Sequence, residues 1–279
     1  MVLKVAFQGD PGANSHLACQ EALPAYEPMP CATFEDAFAA VSSGEAALGM
    51  IPIENSLAGR VGDVHHLLPE AGLHIVGEHF MAIRHQLMAL PGVALKDVKR
   101  VRSHPMALGQ CRKTLRRLGI LPVATYDTAG AAREIKEHGD PSEGAIASGL
   151  AAEIHGLTIL QADCEDASYN TTRFVILSAK PDDASQEDGP CVTSLVFRVR
   201  NVPAALYKAL GGFATNGVNV TKLESYSIEG AFEATQFYAD LAGHPDDIAV
   251  RRALEELAFF SASLNILGVY RAHPFRKAL

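Results

Sequence analysis

The sequence predicts an α/β fold: a region of mostly parallel sheet covered by helices, then a smaller ferredoxin-like βαββαβ region. Three observations carry this. Short apolar runs alternate with helix-period stretches through the first two thirds of the chain. Residues 179–190 (AKPDDASQEDGP) then break the pattern with acidic residues, prolines and a glycine, and read as a linker. After them, strand, helix, strand, strand, helix and strand fit into about 80 residues, as a split βαβ unit requires. The expected division is 1–178, a linker at 179–190, and 191–279.

The elements follow in order. Val2–Gln8 is a short apolar strand, broken by Gly9-Asp10-Pro11-Gly12, and a helix pattern runs from about Asn14 to Leu23. Thr33 and Asp36 form a capping-box pattern before Phe34, Ala37, Phe38 and Val41 at helical spacing, and Gly44 stops that helix. Ala46–Ile53 is a second strand; Val61, Val64, Leu67 and Leu68 mark a helix; Leu73–Leu90 carries strand material. Arg100–Ser103 is strand-like. Pro105 opens one helix, with Leu108, Cys111, Leu115 and Leu118 on one face up to Gly119. Leu121–Tyr126 is a strand, and Asp127 caps a helix over Thr128–His138. Gly144–Ala147, a helix to His155, Leu157–Gln161 and a final strand Phe174–Leu177 complete the first region. Beyond the linker come strand Thr193–Val199 and helix Ala204–Asn216, ending at Gly217. Strands Asn219–Tyr226 and Glu233–Leu241 follow, joined by a turn at Glu229-Gly230. Helix Asp246–Phe259, with Ile248, Leu254 and Leu257 on one face, precedes the last strand, Leu264–Tyr270.

The 279 residues are 48% hydrophobic and 20% charged, an ordinary globular mixture that excludes disorder as the default state. A net charge of −8 argues against a non-specific nucleic-acid binder, which needs a basic face. No apolar stretch reaches the roughly 20 residues of a membrane span, and Met1–Asp10 lacks the parts of a secretory signal, so no membrane partner and a cytoplasmic location are expected. Cys19, Cys31, Cys111, Cys164 and Cys191 include no C-x-x-C pair and read as free thiols in a reducing compartment. The 11 histidines form no H-E-x-x-H, and adjacent His65 and His66 would diverge on a helix, so no metal is expected.

Chemistry-bearing residues gather at strand ends. Gly9–Ser15 joins a strand to a helix. Its amides suit an anion, although alone it reads more readily as a tight turn. Ile51–Ser56 leaves a strand with an acid, an amide and a hydroxyl together, a set suited to proton transfer and equally to a capping turn. Ser103-His104-Pro105 and Ala147-Ser148 repeat the strand-to-helix geometry, where a serine N-cap is the plainer reading. Ser15, Ser56, Ser103 and Ser148 thus each stand at an expected helix start. If those starts converge, they surround a cleft suited to a substrate with more than one carboxylate. Asn170–Phe174 precedes the last strand of the region, where Arg173 is either a bidentate carboxylate clamp or an edge-strand charge in solvent. Alternation puts Thr172 and Phe174 on one face and Arg173 on the other, so one site shared by all three would need an irregular backbone. Asn170-Thr171-Thr172 also matches a glycosylation sequence, a reading that fails without a secretion signal. No nucleophile–base pair is evident, and G-x-S-x-G is absent.

These residues resemble prephenate dehydratase, in order and over essentially the whole chain. Phe7–His16, Ile51–Ser56 with Gly59 and Val61, Ser103–Cys111, Asp127-Thr128-Ala129 with Ala131-Ala132, and Thr172-Arg173-Phe174 look like the family's successive blocks. Residues 191–279 are similar to an ACT domain, a regulatory module that binds amino acids. The resemblance implies a catalytic domain of two periplasmic-binding-protein-like lobes around a central cleft. It implies decarboxylating dehydration of prephenate to phenylpyruvate, CO2 and water in phenylalanine biosynthesis. No metal or organic cofactor is implied, and L-phenylalanine is the implied feedback inhibitor. A homodimer or homotetramer is implied too, because ACT sites generally form between subunits. Thr172 becomes the expected leaving-group donor, with Asn55, Ser56 and an orienting Glu54 as further catalytic residues. Arg173, Asn170, Phe174, Ser15, Ser103 and Ser148 are expected to hold substrate. Ala204, Ala205, Leu206, Asn219, Glu224 and Ser225 are the expected effector contacts.

The chain departs from the family pattern in places. Asn14 stands where the family often has an aromatic, Pro203–Leu206 replaces a Gly-Ala-Leu run, and Glu224–Ser227 replaces Glu-Ser-Arg-Pro. The last two bear on effector binding. The same chemistry on arogenate is a close alternative. A ligand-binding module and an inactive amino-acid sensor are alternatives of other classes. Neither a secretion signal nor a helix-turn-helix favours the module, and the intact Thr172-Arg173-Phe174 counts against the sensor. The chain opens directly on the first block, so a fused chorismate mutase is not expected.

Overall fold

The computed structural model describes residues 2–227 and 234–277. The chain divides into two compact units, residues 1–64 with 79–174, and residues 65–78 with 175–279. The elements of the first are β1 (Lys4–Gln8), α1 (Asn14–Ala22), β2 (Glu27–Cys31), α2 (Phe34–Ser42), β3 (Leu48–Asn55) and β4 (Gly59–Arg60), then α3 (Gly62–Leu67) and β5 (His74–Ala82), which each contain residues of both units. Next come β6 (Gln86–Ala89), β7 (Arg100–Ser103), α4 (Pro105–Gln110), α5 (Arg112–Leu118), β8 (Leu121–Ala124), α6 (Thr128–His138), β9 (Glu143–Ala147), α7 (Gly149–His155) and β10 (Thr158–Gln161). β11 (Thr171–Ser178) also contains residues of both units. The second unit continues with β12 (Cys191–Val199), α8 (Ala205–Thr215), β13 (Val220–Ser227), β14 (Ala234–Ala242), α9 (Ile248–Phe260) and β15 (Ser261–Arg271).

Two sheets form the lobes expected of the first region. One has the order β2-β1-β3-β11-β5, with β4 on β3, and the other β10-β6-β9-β7-β8. β1 runs parallel to β2 and β3, and β7 to β8 and β9, while β6 is antiparallel to β9 and β10. β2 is invisible in the apolar pattern because Pro28 and Pro30 interrupt it. The Glu27 N–H donates to the Leu3 carbonyl at 2.9 Å, so alternation turns both prolines to the sheet edge, where the missing N–H leaves no ladder bond unmade.

Helix ends follow local chemistry. Thr33 and Asp36 make the expected capping box, at 3.1 and 3.2 Å. Asp127 accepts the Gly130 N–H at 2.6 Å, and Ser148 accepts the Ala151 N–H at 3.1 Å. The single helix expected from Pro105 to Leu118 is instead two, α4 and α5, broken at Cys111. A distant residue causes the break. The Asp166 N–H takes the Gln110 carbonyl at 2.7 Å, and its carboxylate caps α5 through the Lys113 N–H at 2.9 Å. Leu108, Cys111 and Leu115 still enter one core with Leu87, Val101 and Ile146.

In the second unit the sheet order β13-β14-β12-β15, antiparallel throughout, is the ferredoxin-like arrangement. Leu195, Phe197, Phe213, Phe237, Leu241 and Leu257 lie in its core. On α9 the buried stripe is Val250, Ala253, Leu254 and Leu257, spaced i, i+3, i+4, i+7; Ile248 falls off it and is exposed, correcting the expected face. The turn expected at Glu229-Gly230 lies outside the described residues. β15 passes so close to β5 that a Cβ on Gly268 would collide with the Ile75 carbonyl oxygen. Gly268→Ala is therefore expected to cost more than about 2 kcal/mol in denaturant unfolding. An unchanged midpoint would show that β15 can yield.

Candidate active site

Two strand ends meet in the first unit. Where β3 ends and β11 begins, the Ser56 N–H donates to the Thr171 carbonyl at 2.9 Å. The Ser56 hydroxyl donates to the Tyr169 carbonyl at 2.7 Å and accepts the Thr171 N–H at 3.0 Å. Ser56 starts no helix. Its hydroxyl holds the approach to β11 instead.

Asn55 sits at the centre. Its Oδ1 accepts the backbone N–H groups of Leu57 and Ala58, at 3.0 and 2.9 Å. Its Nδ2 reaches Asn170 Oδ1 at 2.8 Å, Thr172 Oγ1 at 3.0 Å and the Thr171 carbonyl at 3.2 Å. Asn170, fully buried, passes the chain on: its Nδ2 donates to Gln110 Oε1 at 3.0 Å, and His85 Nε2 lies 2.7 Å from that same oxygen. Asn55 and Asn170 belong to the first lobe's strand ends and Gln110 to α4 of the second lobe. The chain of amides therefore bridges the lobes. Beside it is a cavity of about 340 Å³ lined by Leu57, Met106, Gln110 and Asp166, among others.

Glu54 and Arg173 form a second pair, 3.1 Å apart, with the Arg173 side chain 2% exposed. Thr172 and Arg173 are successive residues of β11, so their side chains point to opposite faces. Thr172 with Asn55, and Arg173 with Glu54, are thus two separate contacts and not one pocket. Phe174 is buried in the core.

The expected serine-bearing helix starts converge only in part. Ser148 caps α7 and donates to the Gly12 carbonyl at 2.5 Å. Gly12, at φ +96, packs so closely on Ala151 that a Cβ would lie 2.7 Å from its Cα. Asp10 pairs with Arg133 of α6 at 3.2 Å, a second clasp between the lobes. Ser15 is buried in the first turn of α1. Ser103 ends β7 and donates to the Ile146 carbonyl at 2.6 Å; the cap of α4 is His104, whose Nδ1 accepts the Met106 N–H.

In the second unit Ala204, at φ +63, precedes α8; Ala205 and Leu206 open that helix; Asn219 precedes β13, which carries Glu224 and Ser225. Glu224 pairs with Lys222 at 2.8 Å. Ala204 is strained there, by about 1 kcal/mol, as a glycine would not be.

Sequence reasoning missed His85 and Gln110. Gln110 lies inside one of the family blocks, and His85 belongs to no motif. Burial lowers the pKa of His85 and of His16, whose Nδ1 accepts the Gly12 N–H at 3.0 Å. Among the described residues no three His, Cys, Asp or Glu side chains gather as a metal site, and no helix is long and apolar enough to cross a membrane.

Two α/β lobes thus clasp a network of amides and a hydroxyl, and a ferredoxin-like region follows in the same chain. The chain belongs to the prephenate dehydratase family, whose model matches residues 5–182. It is 54% identical over 273 residues, 98% of this chain and 97% of the relative, to a bifunctional N-acyl-homoserine lactone acylase/prephenate dehydratase of Komagataeibacter europaeus. It is 40% identical to arogenate dehydratase 2 of Petunia hybrida, over 96% of this chain and 71% of that one. The crystal structure of prephenate dehydratase from Arthrobacter aurescens in complex with L-Phe superposes with a TM-score of 0.89 at 31% identity, covering 97% of this chain and 90% of that one.

Burial of neutral His85 and His16 has a consequence in pH. Below the ordinary value of 6.5 the unfolded chain binds protons that these folded rings refuse, so stability is full above that pH and falls below it. Denaturant midpoints are expected to drop between about pH 7 and pH 5, and His85→Gln should make the drop shallower. An identical slope in the variant would count against the buried neutral ring.

Proposed function

We propose that the protein converts prephenate to phenylpyruvate, CO2 and water. The observation that carries this reading is the buried Thr172 hydroxyl, which accepts a hydrogen bond from Asn55; its own O–H is the donor we assign to a ligand. In the reaction the ring carboxylate leaves as CO2, and its bonding pair enters the ring. The ring C–O bond breaks as the ring becomes aromatic. The departing hydroxide needs one proton, or a strong hydrogen bond, at its oxygen, and Thr172 is the proposed donor. Asn55 and Asn170 hold Thr172. Ser56 and the Glu54–Arg173 pair hold the two strands that carry it, with the guanidinium on the far face. The starts of α1 and α7, with Ser15 and Ser148, supply backbone donors for the carboxylates, while Ser103 braces β7.

Residues 191–279 are proposed as an ACT-type domain that binds L-phenylalanine and inhibits turnover through Ala204, Ala205, Leu206, Asn219, Glu224 and Ser225. The L-Phe complex of the Arthrobacter relative supports this. A homodimer or homotetramer in the cytoplasm goes with the same reading. Two further readings have specific support: arogenate as substrate, from the Petunia relative, and cleavage of N-acyl-homoserine lactones, from the Komagataeibacter relative.

Purified protein given prephenate is expected to form phenylpyruvate, read by its absorbance in alkali, and Thr172→Val should lower kcat by about a hundredfold with KM little changed. Wild-type turnover in the variant would remove Thr172 from the chemistry. Turnover of arogenate or of an acyl-homoserine lactone, with prephenate inert, would favour those readings. Phenylalanine in about hundredfold excess over its Kd should stabilise the protein by about 2.7 kcal/mol. An unmoved melting curve would mean that the altered effector segments no longer bind it.

A further inference from the structure

We infer that His85 is a positioning residue for Thr172, acting through three amides whose polarity is settled at both ends. The inference rests on Thr172 being the proton donor proposed above. The near end is backbone. Because Leu57 and Ala58 both donate N–H groups to Asn55 Oδ1, the Asn55 amide cannot be turned over, and its Nδ2 must face Thr172 Oγ1 and Asn170 Oδ1. Asn170 is thereby oriented, with its Nδ2 toward Gln110 Oε1 at 3.0 Å. Gln110 is then oriented too, which leaves its Nε2 pointing toward Asn55 Oδ1 at 3.5 Å.

The far end is His85. Its Nε2 lies 2.7 Å from an oxygen already committed as an acceptor, so Nε2 carries the hydrogen. Among the described residues His85 Nδ1, which is buried, has no hydrogen-bond partner, as a bare lone pair can be and an N–H could not without cost. The ring is held in place from its backbone. The His85 N–H donates to Glu165 Oε2 at 2.9 Å, and its carbonyl accepts the Cys164 N–H at 2.8 Å. The chain therefore runs donor to acceptor in two directed arms, Asn55 to Thr172 on one side and His85 to Gln110 on the other. Among the described residues, Thr172 Oγ1 makes no hydrogen bond except the one it receives, so its own proton stays available. Without the His85 donor, the Gln110 oxygen keeps only the Asn170 N–H, and one bond instead of two opposes its turning over. Were Gln110 to turn over, its Nε2 would face the Asn170 donor. Asn170 would then turn in its place and set nitrogen against Asn55 Nδ2.

The test compares two variants. His85→Leu keeps a buried, similar-sized side chain without a donor. His85→Gln offers an amide N–H where Nε2 stood. The leucine variant is expected to lose about tenfold in kcat, the worth of one directed hydrogen bond, with KM within about twofold of wild type. The glutamine variant should recover most of that loss. Full kcat in the leucine variant, or an equal loss in both variants, overturns the inference, the second because it marks packing alone. Nitrogen-15 spectra of the wild type read the tautomer without turnover. A protonated Nε2 beside a bare Nδ1 supports the directed chain, and a protonated Nδ1 overturns it. That readout stands even for a protein inert toward both prephenate and arogenate, an outcome that would sink only the functional reading.

Discussion

The side-chain amide of Asn55 is bonded at both ends, and the geometry of the site depends on it. Its oxygen is tied to two backbone N–H groups of the β3–β4 turn, and its nitrogen to three acceptors on the approach to β11. One residue therefore fixes the turn after β3, Asn170 before β11, the first residues of β11 and the Thr172 hydroxyl together. Unsatisfied members make a buried polar network costly, and here the amides each offer a donor and an acceptor in a fixed plane. An aspartate at position 55 would have nearly the same shape, yet it would set an acceptor against Asn170 Oδ1 and the Thr171 carbonyl. The requirement is for an amide, not for polarity in general.

Charge is handled differently in the two units. In the first, the buried Arg173 guanidinium lies against Glu54 on the face of β11 away from Thr172. In the second, Arg276 grips buried Glu78 through two bonds, at 2.6 and 2.8 Å, and reaches Asp240 Oδ2 at 3.4 Å. Ser194 and Tyr238 donate to Asp240 Oδ1 at 2.5 and 2.6 Å. Isolated buried carboxylates would be prohibitively costly. A guanidinium fork plus hydroxyl donors makes them tolerable, and removing the cation from such a cluster typically costs about 3–5 kcal/mol. Residues 274–277 are thus a structural part of the second unit, not a trailing end.

Local rules made much of the fold legible. Capping at Thr33, Asp127 and Ser148, the alternation of apolar runs and the βαββαβ order all act within a few residues, where a sequence can be read directly. What escaped reading was settled from a distance. β2 carries prolines that only an edge position tolerates, and the break at Cys111 is made by Asp166, 53 residues from the Lys113 N–H that it caps. At the site, the cluster Glu54-Asn55-Ser56 and the run Asn170–Phe174 were visible as polar residues at strand ends. Their contacts, made across more than 100 residues of chain, were not: the Asn55–Asn170 separation is 115. His85 shows the limit most plainly. A lone histidine after a strand carries no signal, and its place depends on an amide 25 residues on, in a helix packed on the other sheet.

These arrangements bear on how a dianionic substrate could be accommodated. Around Thr172 the network presents amides, while Glu54 is turned away and paired with Arg173, and the Asp166 carboxylate that lines the neighbouring cavity is bonded by the Lys113 and Thr114 N–H groups of α5. A carboxylate on the Thr172 face would repel a substrate bearing two of its own, and an uncompensated cation there would stabilise the ground state as well as the transition state. Neutral, oriented dipoles avoid both. They favour the charge that develops on the leaving oxygen without adding net charge to the site. Aromatisation drives the proposed reaction, so a hydroxyl donor of ordinary strength suffices if it is held in one orientation. The network suits that requirement, because the Asn55 N–H occupies one side of the Thr172 oxygen and leaves its O–H to other acceptors.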